Sequence, residues 1–451
     1  MSFFTALIFV LGVTTSLLYS GWALAFIFTL FPLQQLLISQ FDLFRNNQTL
    51  PNYIIVLVAV LAIGRRFLLS SLQFEGIKNA STIGSLGLYA WAAATLLWTP
   101  STDGPSIVLL GLPYVILFVI LAPMTIRTID EVPMFRNGLL LLGSVTLLAI
   151  MISPRFSFWS GRLVFQFGAE SRTNPLVIGE LAALLLLAAV LWKPSGFGLL
   201  ALLPRIAAIT IALNALLQSG SRGQLILVIA ICVLSIPIAR RIDNVFRLFG
   251  YGALGIVGLL ALFYLAQNLN VDVMDRWRGD SMEEALGGRV DAILTSLRYW
   301  ILAPSHWIMG LGTNAFASPI FNFTYGLEGR IHNLLVELLA ETGLIGLGIF
   351  AFIIRVAVKD ARWLFDRFAN DPERRASIGL LISFLGYQLL LAQKQSHLWG
   401  DASIFCLICI ISRIRKVTEL EELRMSDQQL VATRDEDLDD ALLDDAEPVQ
   451  T

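Results

Sequence analysis

Arg330-Ile331-His332-Asn333-Leu334-Leu335-Val336-Glu337-Leu338-Leu339-Ala340-Glu341-Thr342-Gly343 closes a polar, arginine-bearing stretch and opens an apolar one. The polar stretch begins near Gly288, and the apolar run continues to Gly348 and beyond. An imidazole and a guanidinium therefore stand where a membrane span meets water. Ionisable groups at membrane depth are expensive and are usually functional. On a helix Asn333 and Glu337 lie four apart, as do Glu337 and Glu341, so each pair shares a face. A neutral imidazole accepts a proton from a hydroxyl, and its ordinary pKa of about 6.5 suits that work near neutral pH. His332 is thus the catalytic candidate; the alternative is a capping or hydrogen-bonded histidine at the interface. The chemistry points to a reaction on a charged substrate at the membrane surface.

The chain around this stretch has 451 residues, 56% of them hydrophobic and 15% charged. A spanning helix needs roughly 20 apolar residues. The sequence offers segments near 3–19, 21–39, 53–71, 81–98, 106–122, 138–153, 176–192, 199–217, 223–239, 248–267, 332–354, 377–393 and 397–412. The expected fold is an all-α polytopic membrane protein, a bundle of about 12 transmembrane helices over residues 1–416. Uninterrupted apolar runs exclude an alternating barrel pattern. The first basic residue is Arg45, so the first segment is expected to be a retained span, not a cleaved signal peptide. Cys232, Cys406 and Cys409 all lie in apolar runs. With no His, Asp or Glu beside the Cys406–Cys409 pair, they read as small hydrophobes. No metal, cofactor or nucleic-acid partner is expected.

Charge sets the orientation. Arg240, Arg241 and Arg247 crowd one loop, Arg355 to Arg375 another, and Arg413, Arg415 and Lys416 follow the last span. The positive-inside rule puts all three in the cytoplasm, with the C-terminus. Residues 154–175, 218–222, 268–331 and 394–400 then face outward. That outer face carries Arg155, Arg162, Arg172, Arg222, Arg276, Arg278, Arg289, Arg298 and Arg330, and almost no lysine. Arginine offers a planar, two-pronged grip on phosphate oxygens. In an ordinary folded loop the same arginines would pair with Asp272, Asp275, Asp280, Glu283, Glu284 and Asp291. Arg222 follows Gly220 and Ser221 and precedes Gly223, at a break between two apolar runs. A helix restarting there adds its first free N–H groups to an anion site. Arg289 opens a helical outer segment that runs through Trp300 to Pro304, and offers a second anion contact. His306 reads as structural, and His397 as a secondary candidate.

Four elements resemble the O-antigen ligase and polymerase superfamily of bacterial envelope glycosyltransferases. They are Leu97-Trp98-Thr99-Pro100-Ser101; Arg162 through Gly168 with Asn174-Pro175; Ser221-Arg222-Gly223; and a long one. The long element joins Gly288-Arg289, Met309-Gly310-Leu311-Gly312, Phe316 and His332 through Gly346. Leu176 departs from the pattern, in which an asparagine often follows the proline. The resemblance implies a GT-C-like helical fold with a helical periplasmic loop, about residues 268–331, capping a lateral cavity. It implies inverting, metal-independent transfer of a glycan from undecaprenyl pyrophosphate to a lipid A–core or growing-glycan hydroxyl. By position, Arg222 and Arg289 would bind the pyrophosphate and His332 would activate or orient the acceptor. Arg162, Arg172, Arg330, Asn333 and Glu337 are further possible contacts. The implied place is the bacterial inner membrane, with the site facing the periplasm. Ligase, polymerase and protein O-glycosyltransferase branches stay open, the last ranked third because no extra domain would recruit a protein.

A transporter or flippase of lipid-linked oligosaccharide would use the same arginines to grip a head group. It would favour a helix broken at the midplane, whereas the visible breaks lie at span ends. From Val417 to Thr451 the chain turns acidic, with Asp435, Glu436, Asp437, Asp439, Asp440, Asp444, Asp445 and Glu447. Leu420 to Leu430 can extend a helix; the remainder is expected to be disordered, a solvated tail or a dock for a cytoplasmic partner.

Overall fold

The computed structural model describes residues 1–69, 76–167, 172–192, 202–240, 280–302, 304–317, 331–395 and 397–444, with isolated positions between 246 and 264. The chain begins with α1 (Ser2–Leu18), α2 (Ser20–Phe28), α3 (Leu30–Gln40), the short α4 (Asp42–Asn46) and α5 (Leu50–Leu69). Next come α6 (Ala80–Ala94), α7 (Gly104–Val115, prolonged in π and α turns to Met124) and α8 (Val132–Ile152). After a hairpin of β1 (Ser157–Trp159) and β2 (Arg162–Val164) run α9 (Pro175–Leu191), α10 (Leu202–Gln218) and α11 (Arg222–Arg240). The last set is α12 (Asp280–Leu302), α13 (His306–Met309), α14 (Leu334–Glu337), α15 (Gly343–Arg367), α16 (Pro372–Gln395) and α17 (Ala402–Asp444).

Among the described residues seven helical segments are long and apolar enough to cross a membrane. The bent α2–α3 pair makes an eighth candidate, and α1, α9 and α10 are shorter apolar helices. The polytopic helical class is therefore observed, while this length-and-composition count falls below the expected dozen. The 67° bend between α2 and α3 follows from Pro32 in the first turn of α3, which has no N–H to give to the preceding helix. The expected span at 248–267 lies largely outside the described residues.

Successive helices run between two polar ends, here called upper and lower. At the lower end Arg374 grips Asp130 through two bonds of 2.9 Å, and Arg375 donates to the Ile238 carbonyl at 3.0 Å. Arg66 pairs with Glu131 there, and buried Arg413 donates to the carbonyls of Pro123 and Ile126 at 2.6 and 3.0 Å. At the upper end Gln35 donates to the Asn174 carbonyl at 2.8 Å, and Gln40 donates to Ser153 Oγ at 3.1 Å. Arg374, Arg375 and Arg413, from two of the basic segments that charge assigned to one side, thus share the lower end. One continuous apolar core joins the helices between the ends.

The outer loop after α8 folds as an antiparallel ribbon, Ser157 opposite Val164 and Trp159 opposite Arg162, turning at Ser160 and Gly161, both with positive φ. One expectation needs correction: the acidic tail, expected to be disordered beyond Leu430, continues α17 as one 43-residue helix to Asp444. Nucleation is the expensive step of helix formation, and here the buried segment Ala402–Ser412 has already supplied it. Beyond it Arg415 meets Asp360 at 2.9 Å, Arg127 meets Glu421 at 2.9 Å, and Arg367 pairs with Glu422. These contacts hold the first turns past the core. Residues 445–451 lie outside the described residues.

Candidate active site

The upper end rests on a platform of interlocked turns. Gly310 and Gly343 both have positive φ, and a Cβ on either would fall onto a backbone carbonyl, that of Glu341 or of Ile308. Only glycine permits this approach. The turn is sewn down by Leu311 N–H to the Ala340 carbonyl at 2.8 Å and Gly312 N–H to the Glu341 carbonyl at 2.9 Å. The segment after α6 docks on the same turn. Trp98 Nε1 donates to the Gly310 carbonyl at 3.1 Å, Thr99 Oγ1 to the Thr313 carbonyl at 2.8 Å, and Trp91 Nε1 to the Thr342 carbonyl at 2.9 Å. Glu341, 8% exposed, accepts Asn314 N–H at 2.8 Å. Three stretches far apart in sequence therefore form one rigid support. A small cluster of Leu311, Ala315, Phe316, Ile331 and Ala340 extends it toward Ile293 and Tyr299 of α12.

On this support stands the segment that decided the fold. Asn333 caps α14, accepting Val336 N–H at 3.1 Å, and its amide donates to the Gln393 carbonyl at 3.1 Å. One turn later Glu337, 8% exposed, accepts Leu398 N–H at 3.1 Å. The shared face anticipated for this pair is thus turned to the end of α16 and the turn that follows it. His332 is exposed and held at φ 51°. A non-glycine residue in the left-handed region costs on the order of 1–3 kcal/mol and persists where its surroundings fix it; here Asn333 supplies the anchor.

Arg222 opens α11 and is half-buried. The next residue, Gly223, lies under the Lys394 side chain so closely that a Cβ would overlap the ammonium and its neighbouring carbons. Gln393 and Lys394 therefore bring the Arg222 segment and the His332–Asn333 segment to the same end of α16. Arg172 and Arg162 belong to the hairpin loop: Arg172 lies 3.6 Å over the Trp159 ring, in a cation–π contact, and Arg162 pairs across the ribbon with Trp159. Arg289 lies on α12, but its side chain is outside the described residues, as is the whole of Arg330. Among the described residues no cluster of three His, Cys, Asp or Glu has the arrangement of a metal site.

Three adjoining cavities open at this end, and His397 lines all of them. The largest, about 420 Å³, lies between α3, the start of α9 and the 397–403 turn, with Arg172 at its wall. A second, about 240 Å³, is lined by Phe31, Leu110, Tyr114, Phe118 and Trp399. The smallest holds Glu337, Glu341 and Asn314. Sequence reasoning passed over Gln35, Glu180, Lys394 and Trp399. Glu180 carried a usable signal, being the one charged residue in the apolar run Pro175–Leu191.

Fold and site together define a polytopic helical membrane protein with a charged, imidazole-bearing centre at one polar end. Residues 206–351 match the family model described as O-Antigen ligase, and this segment supports the resemblance to the O-antigen ligase and polymerase superfamily. The match spans Arg222, Arg289, Arg330, His332, Asn333 and Glu337, and points to glycan transfer of the ligase or polymerase type. No curated protein matches the chain significantly.

Proposed function

We propose that this protein transfers a glycan from undecaprenyl pyrophosphate to an acceptor hydroxyl, with the upper end facing the periplasm of a bacterial inner membrane. The acceptor oxygen attacks the anomeric carbon from the face opposite the leaving group. A carbon–oxygen bond forms, the bond to the pyrophosphate breaks, and configuration inverts. Arg222 and Arg289 take up the charge that builds on the departing pyrophosphate, as fixed donors do where charge develops in a transition state. His332 orients the hydroxyl and receives its proton. Asn333 and Glu337 hold that histidine's segment against α16, and Arg162, Arg172 and Arg330 are further contacts for the anionic donor. No metal or cofactor enters the scheme.

The observation that carries this reading is the convergence on Gln393 and Lys394 of the Arg222 segment and the His332 segment, both inside the matched region. The acceptor is lipid A–core for a ligase or a growing glycan for a polymerase. Proteoliposomes given an undecaprenyl-pyrophosphate-linked oligosaccharide test both points. Release of undecaprenyl pyrophosphate with one product step onto lipid A–core identifies a ligase, and a ladder identifies a polymerase. Movement of intact donor across the bilayer without release would replace this reading with a transporter.

A further inference from the structure

The 420 Å³ chamber is as large as sites that enclose small ligands, which begin at about 300 Å³. Its walls mix aromatic rings, Phe28, Phe31 and Phe118, with polar side chains. Gln35 is 8% exposed; its amide nitrogen is committed to the Asn174 carbonyl, while its Oε1 is buried and accepts no hydrogen bond. A buried acceptor left unsatisfied costs roughly 1–3 kcal/mol. Glu180 is half-buried, steadied by Gln388 Nε2 at 2.7 Å, and lines the chamber. His397 is set by its turn: its carbonyl accepts the N–H groups of Gly400 and Asp401 at 2.9 and 3.1 Å. Its ring lies across Gly400, where a Cβ would come within 3.0 Å of Cε1 and Nε2. In the adjoining cavities Trp399, 5% exposed, has a buried Nε1–H with no acceptor.

The chemistry selects the occupant. A hydrocarbon tail would return no hydrogen bond to Gln35 Oε1 or to the Glu180 carboxylate; the neighbouring apolar cavity suits it better. A phosphate would meet the carboxylates of Glu180 and Asp401, with Arg172 its one arginine along the chamber lining. A sugar hydroxyl both donates and accepts, so it satisfies a carboxylate, an amide oxygen and an imidazole together, while ring C–H groups lie on the phenyl faces. We propose that this chamber is a saccharide subsite in which Gln35, Glu180 and His397 hold the hydroxyls of one pyranose ring of the glycan. This rests on the glycan-transfer reading and extends it by naming the sugar-contacting residues.

The test uses purified full-length protein in detergent and a panel of methyl pyranosides, read by saturation-transfer NMR, alongside KM and kcat for undecaprenyl pyrophosphate release. Wild type gives saturation transfer to at least one glycoside. Glu180→Gln, His397→Ala and Gln35→Leu each weaken that binding and raise one KM by about tenfold or more. A rise in donor KM assigns the ring to the donor, and a rise in acceptor KM assigns it to the acceptor. Val177→Trp, which narrows the chamber from its wall without removing a polar group, blocks the glycoside as well. Absence of glycoside binding to wild type overturns the proposal, as do folded variants that keep wild-type binding and both KM values. Release without these variant effects leaves the transferase reading standing and removes the subsite. Glycoside binding lost in the variants, without any release by wild type, does the reverse.

Discussion

His332 stands in a left-handed backbone conformation beside Asn333, which caps a helix and ties the segment to Gln393. His332→Ala should lower turnover by about 10²–10⁴-fold, the usual worth of a positioned acid–base group, in protein that a cooperative melt in detergent shows to be folded. The glycine pair beneath it behaves differently. Gly310→Ala drives a Cβ onto the Glu341 carbonyl at a positive φ and should destabilise by more than about 1 kcal/mol. Gly348→Ala, with nothing within 4 Å in a helix, should be neutral or stabilise by up to about 1 kcal/mol. Thermal melts of the two variants check the contrast. His332, Asn333 and Glu337 were legible because helical period alone aligns the last two. Gln35 was not: its partner Asn174 lies 139 positions away, and no local pattern announces that contact.

At the scale of elements, the apolar runs located most helices to within a few residues because burial in lipid and helix length are written in composition. What composition hides is how an element is held at its ends. The ribbon Ser157–Val164 is too short to declare itself by alternation, and its register depends on a turn through Ser160 and Gly161. The acidic tail was read as unable to fold alone, whereas it continues a helix already started and leans on the lower loops. Truncation after Leu430 keeps the ion pairs of the tail's first turns and serves as the reference. Truncation after Val417 removes the Arg127–Glu421 and Arg367–Glu422 pairs and should cost about 1 kcal/mol, an effect that high salt reduces. Melts of both truncations at low and high salt measure this.

For the whole molecule, the two polar ends carry opposite duties: carbonyl-anchored arginines and ion pairs below, the imidazole, Arg222 and the cavities above. The orientation argued from charge expects a cysteine at Ser160 to react with an impermeant maleimide in intact cells, and one at Asn370 only after permeabilisation. The native thiols Cys406 and Cys409 are buried and Cys232 is half-buried, so they compete little. Labelling of both positions from one side would contradict the topology. The most direct test of the central claim is single-turnover release of undecaprenyl pyrophosphate in detergent, where no gradient or transport exists. Wild type mixed with lipid-linked donor and acceptor should release it, and folded His332→Ala and Arg222→Ala should slow release at least about 100-fold. Full-rate release by those variants, or none by folded wild type with either acceptor class, would contradict it.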